Sequence, residues 1–148
     1  MAESIRIDGL RQLGEAMREL SKDIQDKVAR QATGAGAKVM ANGVKKQLRA
    51  NPSVDTGLLL ANIITKKVPK SRTQLTSEHL VTVRKRDYPQ QRGKSRRNTK
   101  QVAIYKEFGT VHQAKESFLE TGFNSTKERA AQVIAERLKS RIEKVRPK

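Results

Sequence analysis

All three phenylalanines of this chain lie between Tyr105 and Phe123, and that clustering limits the fold more than any other feature. Aromatic rings bring the largest burial energies of any side chain. With only two Tyr and no Trp to add to them, the densest packing belongs where the phenylalanines sit. The stretch therefore reads as a corner of the core, with Phe108 and Phe118 buried. Phe108-Gly109-Thr110 reads as a chain reversal, because glycine reaches positive φ at no steric cost. The reversal separates an apolar approach, Val102 to Phe108, from a long final helix.

The rest of the composition sets the scale of that core. At 148 residues the chain fits one domain. Because only 35% of residues are apolar and 32% are charged, the core is small and built from Leu, Ile, Val and Ala. The net charge of +17 favours an anionic partner, whether nucleic acid, a membrane surface or an acidic protein. The absence of cysteine removes disulfides and thiolate chemistry and fits a reducing cytoplasm. No run reaches the length of a membrane span, and Met-Ala-Glu-Ser-Ile-Arg lacks the basic-then-apolar order of a signal peptide. The expectation is a soluble product made in the cytoplasm.

Ile5-Arg6-Ile7 alternates as a short strand does, and Asp8-Gly9 precedes a first helix over 9–20, with Leu10, Leu13, Met17 and Leu20 at helical spacing. Ser21 starts a second helix, whose stripe of Ile24, Val28, Ala32, Ala35, Val39 and Leu48 persists to about Arg49 before Asn51-Pro52 ends it. Its middle, Ala32 to Ala37, contains two glycines, each costing about 1 kcal/mol of helix propensity against alanine. Either another backbone approaches closely there, or the helix bends near Gly34.

Asp55 or Thr56 can cap a short helix beginning at Gly57, in which Leu59 and Ile63 face the core together. The β-branched run 63–68 and the run 75–83, joined by a polar connection, predict an antiparallel hairpin. From Arg84 to Lys100 the character changes. Arg84, Lys85, Arg86, Arg92, Lys94, Arg96, Arg97 and Lys100 stand against Asp87 alone, which predicts a mobile loop since little there can be buried. Val102, Ile104, Tyr105 and Phe108 then favour a strand over a short helix. Ser125 with Glu128 forms the pattern of a capping box ahead of the helical stripe Ala131, Ile134, Leu138, Ile142 and Val145. The predicted fold is α+β, with N-terminal helices, a small antiparallel sheet and a long C-terminal helix packed on the sheet.

No catalytic constellation can be assembled from these residues. Phosphate-cradling glycine motifs, the nucleophile elbow and His-Glu-x-x-His are all missing. His79 and His112, beside Glu78 and Glu107, have no diagnostic metal spacing and read as surface or turn histidines. The expectation is a protein without enzymatic activity, cofactor, metal or small-molecule substrate. The basic run can instead neutralise backbone phosphates without reading sequence, or dock onto an acidic partner.

Three separated motifs, Val54-Asp55-Thr56-Gly57 with Leu59 and Ile63, Glu107-Phe108-Gly109-Thr110, and Ser117-Phe118-Leu119, together resemble the small tail-component family of long-tailed bacteriophages. That family's pattern is similar to Val-Asp-Thr-Gly-x-Leu, Glu-Phe-Gly-Thr and Pro-Phe-Leu-x-Pro-Ala, in this order. The chain departs from it at Ser117 and Thr121, where the family has prolines, at Gly122 and Leu58, and in the basic insertion 84–100. The resemblance implies a structural virion protein of the siphovirus neck, a head-tail connector or tail-completion component. It further implies a homo-oligomeric ring, expected to be hexameric, between head-closure proteins and the tail terminator or tail tube, with double-stranded DNA passing through. Leu58 and Leu60, off the Leu59/Ile63 stripe, are then candidates for contact with a neighbouring subunit. The alternative that rests on charge is a nonspecific nucleic-acid-binding protein of a prophage or host.

Overall fold

The computed structural model describes residues 5–53, 55–69 and 77–146. In chain order these form α1 (Leu10–Arg18), α2 (Lys22–Ala50), α3 (Thr56–Ala61), β1 (Ile63–Lys67), β2 (His79–Val83), α4 (Thr99–Phe108) and α5 (Phe118–Val145). The fold is the α+β arrangement of N-terminal helices, a two-stranded antiparallel sheet and a long C-terminal helix.

The two long helices make the scaffold. α2 runs unbroken through Gly34 and Gly36, and α5 lies antiparallel along it. The glycines are what let the two backbones close. A methyl group at Gly36 would come within 2.6 Å of the Ile134 side chain, and one at Gly122 within 2.6 Å of the Val44 Cα. Gly43 is filled in the same way by Thr126 and the Gly122 carbonyl. Dispersion contacts across this seam offset the propensity cost of the glycines. Close approach, and not a bend, is therefore the reason for the small residues in α2.

α2 also carries the sheet. Ile63 pairs with Val83 and Thr65 with Val81 in the hairpin register, so one face of β1 and β2 points at Ala41, Val44 and Leu48 of α2. Leu59, Val102, Ala103 and Phe118 complete the same cluster. The first turn of α5 thus reaches the sheet, while the rest of that helix covers α2.

Several local expectations change. Ile5-Arg6-Ile7 is not in a strand. The predicted strand 75–83 is shorter in the described residues, beginning at His79, and residues 75 and 76 lie outside them. The segment expected to be a strand after the basic run is α4. Asn98 explains why: its side-chain oxygen accepts the N–H groups of Lys100 and Gln101, and the Gln101 side chain returns a bond to the Asn98 N–H. This reciprocal cap favours a helix. Conversely, Ser125 does not start a helix. α5 begins seven residues earlier at Phe118, and the Ser125 hydroxyl donates to the Gly122 carbonyl within it.

Candidate functional site

The basic run is held at its base by the Asp55 region. Arg97 Nη1 and Nη2 reach the two Asp55 carboxylate oxygens at 2.9 and 3.3 Å. Such a two-pronged geometry orients guanidinium and carboxylate better than a single contact does. Tyr88 adds a second tie, its hydroxyl donating to the Asp55 carbonyl at 2.8 Å, while the Arg97 guanidinium lies 5.6 Å from the Tyr88 ring centre. The Tyr88 phenol is pushed up to about 12, by burial first and by the Asp55 carboxylate second, with Arg97 opposing both.

Backbone bonds close the same loop. Tyr88 N–H donates to the Arg97 carbonyl at 3.0 Å, Asp87 bridges Asn98, and the Thr99 hydroxyl both donates to the Arg84 carbonyl and accepts from the Arg86 N–H. The run expected to be a mobile loop is therefore clasped at its neck, and its last two residues, Thr99 and Lys100, belong to α4. Beyond the clasp, Arg92, Lys94 and Arg96 project from an exposed tip that turns at Gly93, φ 77°. Among the described residues, Arg97 is the member of the run whose side chain forms an ion pair; Arg84, Lys85, Arg86, Arg92, Lys94, Arg96 and Lys100 are exposed without one.

Around α3, the Asp55 carboxylate is spent on Arg97 and makes no cap bond, and the Thr56 hydroxyl accepts the Ser53 N–H at 2.7 Å. Neither side chain caps α3 as expected from the sequence. Val54 lies outside the described residues. Gly57 faces open space, Leu59 and Ile63 are buried, Leu58 is half-buried, and Leu60 packs partly against the core of its own chain.

The second motif divides its side chains between inside and outside. The Glu107 carboxylate accepts the N–H groups of Leu119 and Glu120 at 2.8 and 3.1 Å, capping α5 from the end of α4. Beside it, buried Lys106 pairs with Glu116 at 2.9 Å. Gly109 turns the chain at φ 77° against the Lys115 backbone, and Thr110 bridges Gln113. Phe108 points away: it is 75% exposed, and Val111 at the tip is 94% exposed. The sequence placed Phe108 in the core, but on α4 the buried positions are Val102, Ala103, Lys106 and Glu107, one face of a 3.6-residue period that leaves 104 and 108 outside. Phe118 is buried and Leu119 half-buried.

The histidines stand apart from both features. His79 Nδ1 is 3.0 Å from the Thr33 hydroxyl, with its ring against Gly34, and burial followed by the charge of Lys67 lowers its pKa. His112 is exposed on the turn. Among the described residues, no group of three or more His, Cys, Asp or Glu side chains could hold a metal ion. In the same residues no helix is long and apolar enough to cross a membrane.

A small α+β subunit with a clasped basic loop and large apolar side chains left on its surface has the character of an assembly component. The chain belongs to the HK97-gp10-like family, described as "Bacteriophage HK97-gp10, putative tail-component", whose model matches residues 11–109. The match takes in both the Asp55 region and the Glu107-Phe108-Gly109 turn, while the Ser117–Leu119 part of the resemblance lies beyond it. Neither the curated proteins nor the solved structures contain a match to the chain.

Proposed function

We propose that this protein is a ring-forming structural component of the phage neck, joining head to tail, and that DNA passes its basic loop. The observation that carries this reading is the loop itself. Its cations are exposed and unpaired beyond a neck fixed by Asp55, Tyr88 and Arg97, which suits neutralising phosphates without reading bases. Exposed Val111 adds apolar surface that neighbours in a closed ring can cover. A monomer in isolation is compatible with this reading, because the ring can require its head and tail partners in order to close.

Deleting the gene tests it: filled heads and finished tails should accumulate unjoined, and purified protein should restore joining. Intact particles without the protein overturn the proposal. If such particles form and the protein binds duplex DNA with an affinity that falls steeply with salt, the nucleic-acid-binding alternative takes its place.

A further inference from the structure

Among the described residues the outer edge of β2 pairs with no further strand and lies beside an exposed stripe of α4, and the two define a groove. Hydrogen bonds from Arg84 N–H to the Asn62 carbonyl and from Val68 N–H to the Glu78 carbonyl set the phase of the ladder. In this register the even-numbered residues of β2 bond to β1, so His79, Val81 and Val83 direct their backbone N–H and C=O groups to the outer edge. Edge strands with open groups of this kind are templates for another strand. Across about 270 Å³ of open groove, α4 faces this edge with Lys100, Ile104 and Phe108, spaced four residues apart on one side of the helix. Ile104 is 55% exposed despite its apolar side chain.

Charge selects the occupant. Two ionisable side chains line the groove, Lys100 and Glu107, and both oxygens of Glu107 are already committed to the N–H groups of Leu119 and Glu120. The uncommitted charge is the Lys100 ammonium. Duplex DNA cannot complete a strand edge, and its hydrated phosphates do not suit Ile104 and Phe108. A second copy of this chain, itself at +17, meets Lys100 with like charge. An extended polypeptide in which every second side chain faces α4, an acidic one opposite Lys100 and apolar ones opposite Ile104 and Phe108, satisfies the edge, the apolar stripe and the ammonium together.

We propose that β2 and α4 form a docking groove for an extended, acid-bearing segment of a partner protein, which adds to β2 as a third strand. The inference does not depend on ring formation or on DNA contact by the basic loop.

The full-length protein can be titrated, by fluorescence anisotropy, with the labelled synthetic peptide Thr-Glu-Thr-Val-Thr-Val-Thr, whose glutamate and valines share one face of a strand. Binding should weaken roughly tenfold or more when lysine replaces glutamate, when alternate backbone nitrogens are methylated, or when the glutamate is exchanged with the neighbouring threonine and so leaves the valine face. Val81→Pro, which removes an outward donor and leaves the β1 ladder intact, should weaken it similarly. Phe108→Ser should do the same, and because Phe108 lies outside the core this variant keeps the test available should Val81→Pro fail to fold. Equal binding of the peptide with the exchanged glutamate would reveal plain attraction to the basic surface and overturn the proposal. Equal binding of the methylated peptide would overturn strand addition. Failure of the unmodified peptide to bind, or self-association abolished by Phe108→Ser in its place, would also defeat it.

Discussion

The Glu107 carboxylate accepts the Leu119 backbone N–H at 2.8 Å, and this bond joins the end of α4 to the start of α5 across twelve residues. Ser117, at the N-cap of α5, makes no side-chain cap bond and sits at φ 46°. A residue from another helix therefore satisfies the open N–H groups that a local serine would ordinarily accept, and its negative charge suits the positive end of the α5 dipole.

Glu107→Gln should consequently destabilise the fold by about 1–2 kcal/mol, because one carbonyl oxygen replaces two carboxylate acceptors. Glu107→Ala should cost more. Urea unfolding of the purified variants measures both, and midpoints equal to wild type would show that the cap contributes nothing.

The seam between α2 and α5 and the exposed side of α1 give opposite expectations for one substitution type. At Gly122 an added methyl meets the Val44 backbone, whereas at Gly14 it meets nothing within 4 Å. Gly122→Ala should lose roughly 1–3 kcal/mol by overpacking, and Gly14→Ala should gain about 0.5–1 kcal/mol of helix stability. Thermal melts of the two variants decide it. A stabilised Gly122→Ala would mean that the helices are not held at this distance.

Phe108 and Phe118 should separate in the same way. Phe118 is 2% exposed and Phe108 75%. Phe118→Ala should therefore cost about 3–5 kcal/mol, while Phe108→Ser should stay within about 0.5 kcal/mol of wild type. Denaturant titration of each tells them apart, and a comparable loss at both positions would place Phe108 back in the core.

High pH should loosen the loop clasp. The Tyr88 pKa is raised from 10.0 to about 12 by the fold, so folding favours the protonated phenol. Its contribution is complete below pH 10 and is lost as pH rises toward 12. An ultraviolet absorbance titration should show an ionisation near 12 that disappears in Tyr88→Phe. Asp55→Asn should move it downward by removing a neighbouring negative charge. An unchanged titration in Asp55→Asn would contradict the arrangement of the clasp.

Local signals led reliably to some elements and misled at others. The stripe from Ile24 to Leu48, stopped by Asn51-Pro52, corresponds to α2, and the β-branched runs to the hairpin. At α4 the alternation of Val102 and Ile104 resembled a strand, although Asn98 and Gln101 already spelled a capping box. The start of α5 was not readable nearby, because its cap is supplied by Glu107 from another helix. The Asp55–Arg97 pair spans 42 residues, so sequence spacing could not reveal that the basic run is tied to the Val-Asp-Thr-Gly region. Phe108 misled for a simpler reason: large aromatic residues are usually buried, and here the helical period turns one outward.

The most direct test of the account is the copy number of this protein in purified phage particles, measured by quantitative mass spectrometry against the other structural proteins. The hexameric ring that the family resemblance implies predicts a fixed stoichiometry of about six copies in each particle. Absence of the protein from infectious particles would contradict that ring.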